Sequence, residues 1–485
     1  MSRLPFLLLA FFLLPNASVS APREFTSSNG VKITAEVISV ENGSATIRRS
    51  DGKSFTIPVT RFSEEDQDFL TNWKPAGATP AAANSDWFQW RGPNRDGVST
   101  ETGLDLEWGE DGPELAWKSS GMGSGYSSVS IWEGHLYTLG DREGGCKLIC
   151  VNLENGEVVW TAETGGGGDS NGTPTVDPAS GLVFGVSKGG DLVAADAKTG
   201  EVKWKKNYGA DFGGSMMSQW GYSESPLVDG DLLICTPGAP DALLAALDKM
   251  TGEVVWKTDV SGEDLGNAGK DGAGYGSVVI SNGGGVKHYV QMVGRGLVGI
   301  SAENGELLWN YNRIANGTAN VPTPIISGDY VFGSSGYNDG GSALLRLRKS
   351  GSNGVSVKEE YYLSNTELQN HHGGMILLDG HVYLGEGHNN GFPQCIELES
   401  GKVKWDKQRG AGTGSAAIAY ADGHLFFRYE DHTMALIEAS PDEYRLKSSF
   451  RLASSNGKSW PQPVIHQGRL YLRDQDELLC YDIGG

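Results

Sequence analysis

The stretch Ala246-Leu247-Asp248-Lys249-Met250-Thr251-Gly252-Glu253-Val254-Val255-Trp256 decides the fold. Two apolar, strand-like runs flank a tight turn at Thr251-Gly252, where glycine accepts a positive φ without a Cβ penalty. The same phrase returns at residues 150–160 (CVNLENGEVVW), 194–204 (AADAKTGEVKW), 299–309 (GISAENGELLW) and 395–405 (CIELESGKVKW). Trp117, after Gly112-Pro113-Glu114-Leu115-Ala116, ends a sixth, partial copy. Five full copies make an internal repeat the first fact about this chain.

Working outward, repeat endings fall at Trp117, Trp160, Trp204, Trp256, Trp309, Tyr362, Trp405 and Phe450, with gaps of 43, 44, 52, 53, 53, 43 and 45 residues. Four short strands need about this length, which is one propeller blade. Eight apolar hairpins with Gly-containing or polar turns precede the endings, for example at 129–139 (VSIWEGHLYTL) and 375–384 (MILLDGHVYL). The last hairpin is followed by 477–483 (ELLCYDI), one strand short of a blade. A spare strand at 114–117 is predicted to complete it and close the ring, leaving no free sheet edge. Each terminal Trp offers a flat apolar surface to lie between neighbouring sheets. The reading is all-β: an eight-bladed propeller over 86–485, preceded by a small SH3-like β domain with one short helix.

Composition agrees. Glycine is 70 of 485 residues, about twice the ordinary 7% share, as many tight turns require. A net charge of −21 argues against a nucleic-acid partner. The five cysteines fall at equivalent or isolated places in the repeats, so they are expected to be small buried apolar residues. There is no C-x-x-C, hence no zinc or redox motif.

Residues 1–21 read as a signal peptide: Arg3, an apolar run from Leu7 to Leu14, then Ser18-Val19-Ser20-Ala21. A periplasmic or secreted location follows, and no later stretch is apolar enough to span a bilayer. Residues 22–74 are expected to form a small β domain. Its strands alternate from Val31 and turn at Asn42-Gly43 and Asp51-Gly52; Ser63 caps a helix bearing Phe69, Leu70 and Trp73 on one face. Residues 75–85 form a Pro/Ala linker.

Two resemblances follow. The segments Arg23-Glu24-Phe25, Gly30-Val31-Lys32-Ile33-Thr34-Ala35, Ile57-Pro58-Val59 and Phe62-Ser63-Glu64-Glu65-Asp66 resemble the SHD-type homology domain of an actin-assembly adaptor, which implies a protein-binding role. The phrase A-x-D-x-x-T-G-x-x-x-W resembles the tryptophan-docking repeat of PQQ-type propellers. That family holds quinone-dependent alcohol dehydrogenases and non-enzymatic BamB-like scaffolds; the whole chain resembles exported BamB-like or polyvinyl-alcohol-dehydrogenase-like bacterial proteins. The adjacent cysteines of the methanol-dehydrogenase branch, the C-x-x-C-H of a haem branch and a lipid-anchor cysteine are all absent.

Loops running into the innermost strands share one face with the loops between second and third strands. That rule gathers Asn370-His371-His372 with Glu386-Gly387-His388-Asn389-Asn390 in the sixth blade, and adds Gln219-Trp220-Gly221-Tyr222 and Asp241 from the third. Other mid-blade loops supply Arg295 and Asp339. Glu386, Asn389 and Asn390 are oxygen donors of the kind calcium accepts, and calcium and PQQ are what the resemblance implies. Trp220 and Tyr222 could stack on a planar ring, with His371, His372 and His388 beside it. Arg295 could pair with a quinone carboxylate, and Asp241 or Asp339 could serve as base. Adjacent His371 and His372 should point to opposite sides of an extended chain, so one at most should face the axis. The alternative is that all these are polar loop residues solvating a propeller mouth. The leading expectation is a non-catalytic binding or scaffold protein with an envelope or secreted protein partner and a possible small molecule in the funnel. A PQQ- and calcium-dependent alcohol dehydrogenase is the alternative.

Overall fold

The structure is a computed structural model that describes residues 23–27, 32–41, 44–49, 54–71 and 86–485. The stretches expected to be a signal peptide, a linker and both small-domain turns, together with Trp73, lie outside the described residues. The chain divides into two compact units, Met1–Asn84 and Ser85–Gly485.

In the first unit Arg23–Thr26, Lys32–Glu41, Ser44–Arg49 and Ser54–Pro58 form an antiparallel meander. The helix Glu64–Thr71 follows. The Ser63 hydroxyl accepts from the Asp66 N–H at 3.3 Å, the cap its sequence position suggests. Phe25, Val37, Ile47 and Leu70 are buried in its core.

The second unit is eight four-stranded antiparallel sheets in meander order. Blades 1 to 7 begin with the inner strands Ser130–Trp132, Thr175–Asp177, Leu227–Asp229, Val279–Ser281, Ile325–Ser327, Asn370–Leu378 and Ala416–Ala421. Blade 8 takes Val464–His466, Arg469–Asp474 and Glu477–Asp482 from the C-terminus and its outer strand, Leu115–Ser120, from the front of the propeller. The ring is therefore closed by pairing Cys480 with Trp117.

The repeat phrase explains how blades hold together. The Trp160 indole N–H donates to the Ala197 carbonyl of blade 2 at 3.2 Å. A Cβ on Gly200 would stand 2.7 Å from the Trp160 ring, so only glycine lets the indole lie flat on the turn. Trp204 repeats this on Lys249 and Gly252, Trp256 on Gly305, and Trp117 on Gly156 across the closure. Two expectations are corrected. In blade 5 the docked residue is Tyr361, not Tyr362: the bulge after Leu344 pairs Tyr361 where Trp204 sits in blade 2, and its hydroxyl donates to Leu398 at 2.6 Å. Trp309 lies over Gly299 of its own blade, because the facing turn in blade 5 is replaced by the long hairpin Gly341–Ser350 and Gly354–Ser364.

Residues 86–98 do more than lead into the ring. Trp87 and Phe88 carbonyls accept from Ile131 and Val176 of blades 1 and 2, each at 2.8 Å. Arg95 donates to the Ser225 and Pro226 carbonyls at 2.5 and 3.1 Å, and Arg91 to Met375 of blade 6 at 2.5 Å. Val98 bridges Tyr420 of blade 7. One segment thus ties inner strands on opposite sides of the ring, which places it across the axis as a plug. All five cysteines are free and buried. Burial pushes the Cys146 thiol up to about 11 and those of Cys150, Cys395 and Cys480 up to about 12, as for inert core residues. Among the described residues no helix is long and apolar enough to cross a membrane.

Candidate functional site

The loops running into the inner strands converge on a cavity of about 510 Å³ around the axis. A belt of hydroxyls holds its wall. Backbone N–H groups donate from Ser128 to Thr173 Oγ1 (3.2 Å), Thr173 to Ser225 Oγ (2.9 Å), Ser225 to Ser277 Oγ (2.9 Å) and Ser277 to Thr323 Oγ1 (2.9 Å). Blades 1 to 5 are thereby linked in succession at the points where their inner strands begin. These strands start without sheet partners on the axis side, so side-chain oxygens satisfy their donors.

Trp90, carried by the plug, lines the cavity. Behind it stand two guanidiniums, with the Cζ of Arg91 5.4 Å and that of Arg95 5.8 Å from its ring centroid. Burial lowers these groups to about 10 and about 9, so both stay cationic at neutral pH. The cations face the π-cloud of Trp90, while the Arg95 hydrogen bonds to blade 3 hold the ring in place. The two arginines, bonded to blades 6 and 3, are what hold this segment across the axis.

Blade 6 adds imidazoles to the wall. The inner strand of blade 6 loses register between Asn370 and Met375. Gly374 has φ +83°, and a Cβ on Gly373 would collide with the Ala416 carbonyl. The jog breaks the alternation of an extended chain, so both His371 and His372 line the cavity; the expectation that at most one would do so is corrected. Their ring centroids are 4.1 Å apart at 40°, and His388 lies 4.7 Å from His371. Tyr337 packs 4.7 Å from His371 and 4.8 Å from His388. Burial, followed by the neighbouring imidazoles, drives His371 down to about 2, and burial with His388 drives His372 down to about 3. Both are neutral across the physiological range. His371 Nδ1 meets the Ser415 hydroxyl. Its Nε2, His372 Nε2 and His388 Nδ1 are buried without a partner.

The remaining sequence-derived candidates divide. Trp220 and Asn389 line the cavity, Trp220 being 48% exposed. Tyr222 turns into the core instead, donating to the Pro237 carbonyl at 2.9 Å. Arg295 holds Asp271 at 2.7 Å and Asp241 holds Lys257 at 2.9 Å. Asp339 accepts from the Gly317 N–H at 2.9 Å. Glu386 is buried and faces Lys407 at 3.4 Å; burial raises its pKa. Asn390 is exposed at the tip of its turn. None of these last six lines the cavity. Among the described residues no group of three or more His, Cys, Asp or Glu side chains is placed to hold a metal ion. Of the residues expected around a calcium–quinone centre, Trp220, His371, His372, His388 and Asn389 line this cavity, and Tyr222, Asp241, Arg295, Asp339, Glu386 and Asn390 do not.

Several lining residues were not singled out in the sequence: Trp90, Tyr126, Tyr275, Tyr337, Glu430 and Trp460. A faint signal existed. Tyr126, Tyr222 and Tyr275 each follow a glycine and precede an inner strand by a few residues. Tyr222 breaks the pattern because Gly190 leaves room for its ring, a Cβ there standing 2.7 Å away.

A family profile described as outer membrane protein assembly factor BamB matches residues 146–407. No curated protein matches by sequence. Among solved structures, BamB from Moraxella catarrhalis is similar with a TM-score of 0.53 at 12% identity, covering 76% of this chain and 97% of its own. The quinohemoprotein alcohol dehydrogenase from Comamonas testosteroni gives 0.57 at 14%, covering 84% and 82%. A europium-containing methanol dehydrogenase gives 0.59 at 12%, covering 80% and 89%. At these identities the likeness is one of fold.

Proposed function

The chain belongs to the family described as outer membrane protein assembly factor BamB, and on that footing we propose that it is an exported, non-catalytic binding propeller. Its axial cavity recognises a ligand and its rigid disc serves a protein partner at the cell envelope. The observation that carries this reading is the division of charged groups. The cavity wall is mostly aromatic rings and neutral imidazoles, with two acids, Asp169 and Glu430, balanced by Lys188 and Lys458, whereas Asp241, Asp339, Glu386 and Arg295 are engaged elsewhere. A dehydrogenase needs a base within reach of the alcohol; Asp241 and Asp339, expected for that work, are not on the wall, and Glu430, which is, is engaged by Lys458 and the Trp460 indole N–H. Residues 22–74 are read as the adaptor module of the same protein.

The test is direct. Purified protein is given PQQ, calcium and a panel of primary and secondary alcohols, and dye reduction is followed. The reading expects no reduction above the rate without protein. Reduction that disappears in Asn389→Ala or Glu386→Ala would replace it with the quinone-dependent alcohol dehydrogenase.

A further inference from the structure

We infer that the axial cavity is a saccharide site, in which a neutral sugar ring lies against the aromatic wall and its hydroxyls meet the unpartnered imidazole nitrogens. The inference rests on reading the propeller as a binding protein and names the class of ligand.

Three observations converge. The first is the pairing of ring faces with hydrogen-bonding edges. Tyr126 and Trp460 stand 4.6 Å apart at 41°, Trp460 meets His372 at 4.8 Å, and Trp90 and Trp220 line the same space. A pyranose is amphipathic in the matching way, with C–H groups on a face and hydroxyls on its edge. Aromatic side chains with a polar handle suit such a molecule.

The second is the set of orphaned polar atoms. His371 Nε2, His372 Nε2, His388 Nδ1 and Gln462 Oε1 are buried and unpartnered. A buried polar atom left unmet is costly, so four around one cavity call for a ligand that meets them. A neutral imidazole nitrogen is a donor or an acceptor according to tautomer, and a hydroxyl serves either need. The histidine rings lie tilted against one another, His371 and His372 at 40° and His371 and His388 at 72°, and among the described residues no group is placed to hold a metal ion.

The third is charge balance. Glu430 is held by Lys458 and by the Trp460 indole N–H at 2.8 Å. Lys188 and Asp169, of opposite sign, share the wall. There is no surplus of cations for a phosphate and no surplus of acids for a cationic ligand. The volume is ordinary for a small-molecule site, and half-exposed Trp220 marks an open side through which a longer chain could leave.

Two sources share this chemistry, a free sugar and the end of a polysaccharide. The test uses the full mature chain, with tryptophan fluorescence and calorimetry against neutral monosaccharides, neutral oligosaccharides of several linkages, inorganic phosphate and Zn²⁺. We expect at least one neutral saccharide to bind with Kd below about 1 mM. Trp220→Ala and His372→Gln should each weaken it tenfold or more. Trp220→Ala touches a half-exposed ring and keeps the fold, so the test survives if a buried variant does not. Preference for oligosaccharides over their monomers would identify a chain end as the source. The inference is overturned if no saccharide binds, if both variants bind as the parent does, or if Zn²⁺ or phosphate alone occupies the site. Saccharide failure without dye reduction sinks only this inference; dye reduction sinks the reading beneath it.

Discussion

The Thr173 N–H donates to the Ser225 hydroxyl at 2.9 Å, joining blade 2 to blade 3 beside the axis. The same bond recurs from Ser225 to Ser277 and from Ser277 to Thr323. Blades 1 to 4 are thus fastened twice: by this belt inside and by tryptophans seated on glycine turns outside. The cavity lies within the inner fastening, so its wall inherits the rigidity of the ring.

The outer fastening predicts a contrast between two glycines. Gly252 has φ +73° and a Cβ there would stand 2.7 Å from Trp204, whereas Gly230 has φ +63° and open space. Gly252→Ala should cost about 2 kcal/mol or more, from backbone strain together with displaced Trp204, and Gly230→Ala about 1 kcal/mol from strain alone. Thermal melts of the two variants check this; equal losses would contradict it.

Closure makes Trp117 special among the docked residues, because it sits on the strand that completes blade 8 and rests on Gly156 of blade 1. Trp117→Ala should raise amide exchange in Glu477–Asp482 and Gly145–Asn152 before other blades respond. Exchange that rises uniformly around the ring would argue that this joint is no weaker than the rest.

The plug depends on Arg95. Its forked guanidinium reaches two carbonyls and Gln89 at once, which an ammonium cannot reproduce. Arg95→Lys should destabilise by about 2–4 kcal/mol and alter Trp90 fluorescence. Arg445→Lys, at an exposed pair, should leave the melting temperature unchanged. A silent Arg95→Lys would remove the plug from the account.

Acid should weaken the fold through the cavity. His371 and His372 have folded pKa values near 2 and 3, below the value of about 6.5 for an unfolded histidine. Below that value the unfolded chain takes up protons that the folded chain refuses, so stability falls as pH drops from about 6.5 and is constant above it for these groups. At pH 5 the two together should account for on the order of 2–4 kcal/mol. The double variant His371→Gln/His372→Gln should lose less than the parent between pH 7 and pH 5; parallel losses would contradict the assignment.

The blade count was legible because every blade solves the same problem with the same residues. A Trp at the end of one sheet and a Gly in the turn of the next recur at a fixed spacing. The exceptions were illegible for the same reason: Tyr361 replaces Tyr362 through the placing of one bulge, and Trp309 lacks a facing turn. The cavity has no period. Its residues come from loops of unequal length, and His371 and His372 share a face only because Gly373 and Gly374 jog the strand. Tyr222 and Tyr275 occupy like positions and meet opposite fates, which neighbours such as Gly190 decide.

The most direct measurement is the nitrogen spectrum of ¹⁵N-histidine-labelled protein, recorded from pH 7 to pH 4.5 with and without a neutral oligosaccharide. The account predicts two histidines that remain neutral throughout and whose ring nitrogens shift on adding the sugar. Histidines that all titrate near pH 6.5, or cavity nitrogens indifferent to every saccharide, would contradict it.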